Sequence, residues 1–98
     1  MARFEINGAD EAMLGARTSA DVFFELGMMY STGRSVATDF VTAHKWFNIA
    51  AARGNKEAIR YRREIAAELS DEEISIAQRA ARDWLKGNQA LPELRAAA

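Results

Sequence analysis

Leu26-Gly27-Met28-Met29-Tyr30-Ser31-Thr32-Gly33-Arg34-Ser35-Val36 runs on through Asp39, Ala43, Trp46-Phe47 and Ala50-Ala51 to Gly54, and this stretch decides the fold. It carries two helical patterns joined by a glycine-marked turn, with small residues where two helices must come close. A first helix is predicted from about Ser19 to Thr32. Thr18, Ser19 and Asp21 offer oxygens to its free N–H groups, and apolar residues recur at Val22, Phe23, Leu26, Met29 and Tyr30. Gly27 within it would cost about 1 kcal/mol against Ala, so it needs a reason, and close approach of a neighbouring helix is the usual one. Gly33 stands where a left-handed residue is wanted to end the helix.

A second helix is predicted from about Asp39 to Arg53, capped by Thr38 or Asp39 and stopped by Gly54. Its buried stripe is Phe40, Ala43, Phe47, Ala50 and Ala51, flanked by Trp46. Working outward, Asn55 can cap a third helix over about Lys56 to Glu68, with Ala58, Tyr61, Ile65 and Leu69 on one face. Ser70-Asp71-Glu72-Glu73 is a capping box, Ser first and Glu three later, and it opens a fourth helix. That helix shows Ile74, Ala77, Ala81, Trp84 and Leu85, has acids in its first turn and Arg82 and Lys86 in its last, and ends at Gly87. Residues 1–17, with Phe4, Ile6, Met13 and Leu14, read as an N-terminal arm or short helix. Residues 88–98, with Pro92, read as a flexible tail. Short connections favour antiparallel neighbours. The expected architecture is therefore all-α: two stacked antiparallel α-hairpins, 18–54 and 55–87, behind a short arm.

Composition bounds the function. With 98 residues this is one domain, able to bury roughly two-thirds of its unfolded surface. Hydrophobic residues make up 49% and charged residues 28%, ordinary values for a soluble globular chain. No apolar run approaches the roughly 20 residues that span a bilayer. The first residues lack the apolar core of a secretory signal, so a cytoplasmic location without membrane contact is expected. The formal charge of −1 gives no net basic field for nucleic acid. There is no cysteine, which removes disulfides and thiolate chemistry.

Self-similarity is partial. Sliding the chain until Ala58 lies on Val22 also puts Arg62 on Leu26 and Arg63 on Gly27, so a second copy begins in register and then departs. The first copy, from Leu26-Gly27 through Tyr30, Gly33, Val36, Asp39, Ala43, Trp46-Phe47 and Ala50-Ala51 to Gly54, resembles a Sel1-like repeat, a relative of the tetratricopeptide repeats. The likeness covers residues 22–58. It departs at Ser35, where the family usually has Gly, and in the missing second copy. Residues 66–79 are similar, more loosely, to tails that follow the last such repeat in small bacterial proteins. The resemblance implies an α-solenoid fragment with a divergent capping hairpin, acting as a protein–protein interaction adaptor.

The chemistry of single residues points the same way. His44, the one histidine, falls away from the predicted stripe and is expected on the surface. It has no His, Cys or clustered carboxylate at ligand spacing, so no metal and no other cofactor is expected. Neither a nucleophile elbow nor a phosphate-cradling glycine loop is present, and Asp39 is explained as a cap, so no catalytic residue is assigned. Enzyme activity is not expected.

Two surfaces remain. Asp21, Phe24, Met28 and Ser31 project from the edge of the first helix opposite Leu26, Gly27 and Tyr30. In tetratricopeptide-like folds that edge lines the groove where a partner peptide or helix docks. Phe24 and Met28 would form one apolar patch there, unless the N-terminal segment covers them as extra core, and a homodimer could also bury the face. The alternative surface is a basic stripe of Lys56, Arg60 and Arg63, suited to nucleic acid. Glu57, Glu64 and Glu68 interleave with it, and Arg60 is expected to pair with Glu64, which favours a solvated face.

Overall fold

Four helices follow one another in a computed structural model that describes residues 20–89, with side chains through Gly87. They are α1 (Ala20–Thr32), α2 (Phe40–Ala52), α3 (Glu57–Ala66) and α4 (Asp71–Gln89). The chain is all-α over these residues. The N-terminal arm with Phe4, Ile6, Met13 and Leu14, the caps Thr18 and Ser19, and the tail with Pro92 lie outside the described residues.

The helix ends follow local chemistry. At the end of α1, Gly33 takes φ +77°, and the N–H groups of Gly33 and Arg34 both donate to the Met29 carbonyl, at 2.8 and 3.0 Å. Ser35 is also left-handed, at φ +69°, so this turn asks a residue with a Cβ to adopt a glycine conformation. Asp39 caps α2, its carboxylate accepting from the Thr42 N–H at 3.1 Å and the Thr42 hydroxyl at 2.8 Å. Gly54, at φ +109°, ends the turn after α2, and Asn55 then accepts from the Ala58 N–H at 3.0 Å. Ser70 and Glu73 close a reciprocal capping box. The Ser70 N–H donates to the Glu73 carboxylate at 2.9 Å, and the Glu73 N–H donates to the Ser70 hydroxyl at 3.1 Å. One expected stop is absent: α4 runs through Gly87 to Gln89. Gly87 does not take a positive φ, so nothing at that residue turns the chain out of the helix.

α2 is the central element. α1, α3 and α4 each pack on it, whereas α3 and α4 do not pack closely on each other. At the α1–α2 crossing, Gly27 faces the ring of Phe47, which is where the close approach falls. The core is aromatic on two sides of α2. Phe23, Trp46 and Trp84 form one cluster, with ring centroids 5.1 to 5.9 Å apart. Phe24, Phe47 and Tyr61 form another, at 5.3 to 5.7 Å. Edge-to-face and offset contacts of this kind add to the area each ring buries.

Because three helices surround α2, it is buried around nearly its whole circumference. Ala43, His44, Lys45, Trp46, Phe47, Ile49 and Ala50 are all buried. This corrects the surface placement of His44, which is only 2% exposed. A single apolar stripe describes a helix covered on one side, and α2 is not such a helix.

Candidate functional site

The divergence of α3 from α4 leaves an open cleft of about 890 Å³ over α2. Ala51, Ala52 and Asn48 of α2 contribute to its floor, and Ile59 and Arg62 come from α3. From α4 come Gln78, Ala81, Arg82, Leu85 and Lys86, at the spacing of one helical face. The lining is thus mixed in a particular way: alanines, Ile59 and Leu85 supply apolar surface, and every charged side chain among the described lining residues is a cation. Ile59 is 38% exposed, unusual for so apolar a side chain in this fold. Arg82 and Lys86 make no ion pair among the described residues.

The deeper end of the cleft is held by a polar chain of three side chains. Arg62 donates to the Asn48 side-chain oxygen at 2.7 Å, and the Asn48 amide nitrogen lies 3.1 Å from His44 Nδ1. Since Asn48 spends its oxygen on Arg62, its NH₂ must face His44, and Nδ1 must accept. The ring is therefore neutral, with its proton on Nε2. Burial, followed by the nearby Arg62 charge, lowers the His44 pKa from 6.5 to about 4. The arrangement fixes the Arg62 side chain at the cleft without a carboxylate to neutralise it.

The sequence-derived surfaces fare differently. Phe24 does not stand on an open edge of α1. It is half-buried, with its ring 5.7 Å from that of Phe47 and 5.3 Å from that of Tyr61, which reaches this side of α1 from α3. Met28 is likewise half-buried against the core. Asp21 accepts from the Asn55 side chain at 3.1 Å, and the Ser31 hydroxyl donates to the Met28 carbonyl at 3.1 Å. The four residues serve contacts within the chain.

Lys56, just before α3, and Arg60 and Arg63 on it are exposed but do not line the cleft. Arg60 approaches Glu57 at 3.8 Å rather than Glu64, and its guanidinium lies 4.8 Å from the Tyr61 ring centre. Both Arg60 and Glu57 side chains are more than half exposed, so this pair contributes little.

Lys45 is a residue that the sequence reading passed over. It is 1% exposed, and its ammonium lies 4.3 Å from the Trp46 ring centre. A cation placed over an indole face is favourably held, the more so when desolvated. The pattern His44-Lys45 between Ala43 and Trp46 carried no signal of burial, because both residue types are usually exposed.

Among the described residues, no group of three His, Cys, Asp or Glu is placed to hold a metal, and no helix is long and apolar enough to cross a membrane. No protein-family model, curated protein or solved structure matches the chain.

Proposed function

We propose that this protein is a small helical binding module, of the Sel1-like kind that residues 22–58 resemble, which takes a segment of a protein partner in the α3–α4 cleft. The observation that carries the reading is the cleft itself, where an apolar floor is bordered by Arg62, Arg82 and Lys86. Binding sites of this class combine an apolar surface with a few oriented polar groups. The cleft is a better seat than the α1 edge, since Phe24, Asp21 and Ser31 are already engaged within the chain. The role is binding rather than catalysis, in a cytoplasmic setting.

The test is affinity capture from the host's lysate with the wild type, with Ile59→Glu and with Phe24→Ala, each shown to be folded by circular dichroism. Ile59 sits at the lip of the cleft and is substantially exposed, so its replacement leaves the core alone. A partner retained by the wild type and by Phe24→Ala but lost with Ile59→Glu supports the cleft. Equal capture by all three places binding elsewhere and overturns it.

A further inference from the structure

Resting on that reading, we propose that the occupant of the cleft is an acidic amphipathic helix from a partner protein. Three features argue for it together. The first is shape. α3 and α4 both lie on α2 without packing closely on each other, which leaves a trough between two helices, the kind of space into which a third helix lays its apolar face. On α4 the lining runs from Gln78 to Lys86, so the trough extends for about 12 Å, or roughly two helical turns of a partner.

The second feature is what the trough offers an apolar face. Ile59 is exposed, Leu85 is half-buried, and Ala51, Ala52 and Ala81 are small enough to let a partner backbone come close. No described aromatic lines it. Nucleic-acid bases need such rings to stack upon, so a single strand finds phosphate contacts here but nothing for its bases.

The third feature is charge. Arg62, Arg82 and Lys86 border the trough with no acid among the described lining residues. Arg62 is held by a neutral amide, so its charge remains available to a ligand. The chain as a whole carries a formal charge of −1, so this local excess of cations is a property of the site and not of the protein. Complementary charge governs encounter and choice of partner more than raw affinity.

The experiment uses two synthetic amphipathic helices of about 15 residues, the length at which helices begin to hold in water. They share one leucine face and differ in carrying Glu or Lys on the other. Binding to the full chain is followed by fluorescence anisotropy, and the contact is located by ¹H–¹⁵N chemical-shift changes. The Glu peptide is expected to bind, with shifts centred on Ile59, Arg62, Arg82 and Leu85. The Arg82→Glu, Lys86→Glu double variant is expected to bind it at least about ten-fold more weakly and to prefer the Lys peptide. Both substituted residues are exposed, and the gained preference for the Lys peptide shows that the variant is folded. Equal binding of the two peptides in the cleft would overturn the acidic assignment while leaving the docking role intact. Binding of neither, or shifts remote from the cleft, would overturn both. Shifts at the same residues caused by decanoate or by generic single-stranded DNA, but not by the Glu peptide, would reassign the cleft to a small amphiphilic anion or to nucleic acid. A concentration-dependent dimer that closes the cleft would give it to a second copy of this chain.

Discussion

A methyl group added at Gly27 would lie 2.5 Å from two ring carbons of Phe47, closer than carbon atoms in proteins approach. Phe47 cannot swing aside, since it is fully buried and packed against Phe24 and Tyr61. Helix propensity alone would reward Gly27→Ala by about 1 kcal/mol. Overpacking a closed core costs about 1–3 kcal/mol. Net destabilisation of up to about 2 kcal/mol is expected, read as a lower urea midpoint, and adding Phe47→Leu should recover part of it.

His44 makes a second statement at this scale. Its folded pKa, about 4, lies below the unfolded value of 6.5, so the unfolded chain binds the extra proton first. Stability contributed by the neutral ring is fully present above pH 6.5 and is lost as pH falls toward 4. The loss is on the order of 3 kcal/mol. Denaturation midpoints measured across this window should fall more steeply for the wild type than for His44→Gln, which cannot take up the proton. Parallel slopes would show that the ring is not held neutral.

The helices show which parts of the fold were legible in advance. Asp39, Gly33, Gly54, Asn55 and the Ser70–Glu73 pair act within a few residues of themselves, and each does in the structure what its chemistry requires. Gly27 was legible because a glycine inside a helix has a cost that something nearby must offset. Gly87 was misjudged for a related reason. Near a helix end a glycine reads as a stop, but whether it stops depends on φ, which is not positive here. A Cβ at Gly87 would meet nothing within 4 Å. Gly87→Ala is therefore expected to raise stability by about 0.5 kcal/mol through the lower entropy of its unfolded chain, measurable as a higher thermal midpoint. An unchanged or lower midpoint would show that the last turn of α4 is already frayed.

At the scale of the whole molecule, the unreadable features share one cause. The burial of His44 and Lys45, the engagement of Phe24 and the existence of the cleft all depend on how many neighbours α2 has and where they lie. Periodicity along one helix reports which side is apolar. It does not report that two later helices will lean on a third instead of on each other. Arg62 and Lys86 illustrate the difference, since in sequence one is a mismatch in the repeat and the other a cation suited to the end of its helix, and only the divergence of α3 from α4 brings them to one trough.

The central position of α2 also bears on how this protein comes apart. Every other described helix rests on it, so no pair of helices can peel away as a self-sufficient piece and leave a satisfied remainder. Opening of α3 or α4 bares part of the same aromatic clusters that hold α1, through Tyr61 in one case and Trp84 in the other. The amides of α2 can then reach solvent deuterium only when the whole domain opens, and their exchange rate becomes a direct gauge of its global stability. A ligand seated over α2 would slow that exchange along the whole helix and not only at Asn48, Ala51 and Ala52 beneath it, so occupancy of the trough would be recorded well beyond the residues the ligand touches.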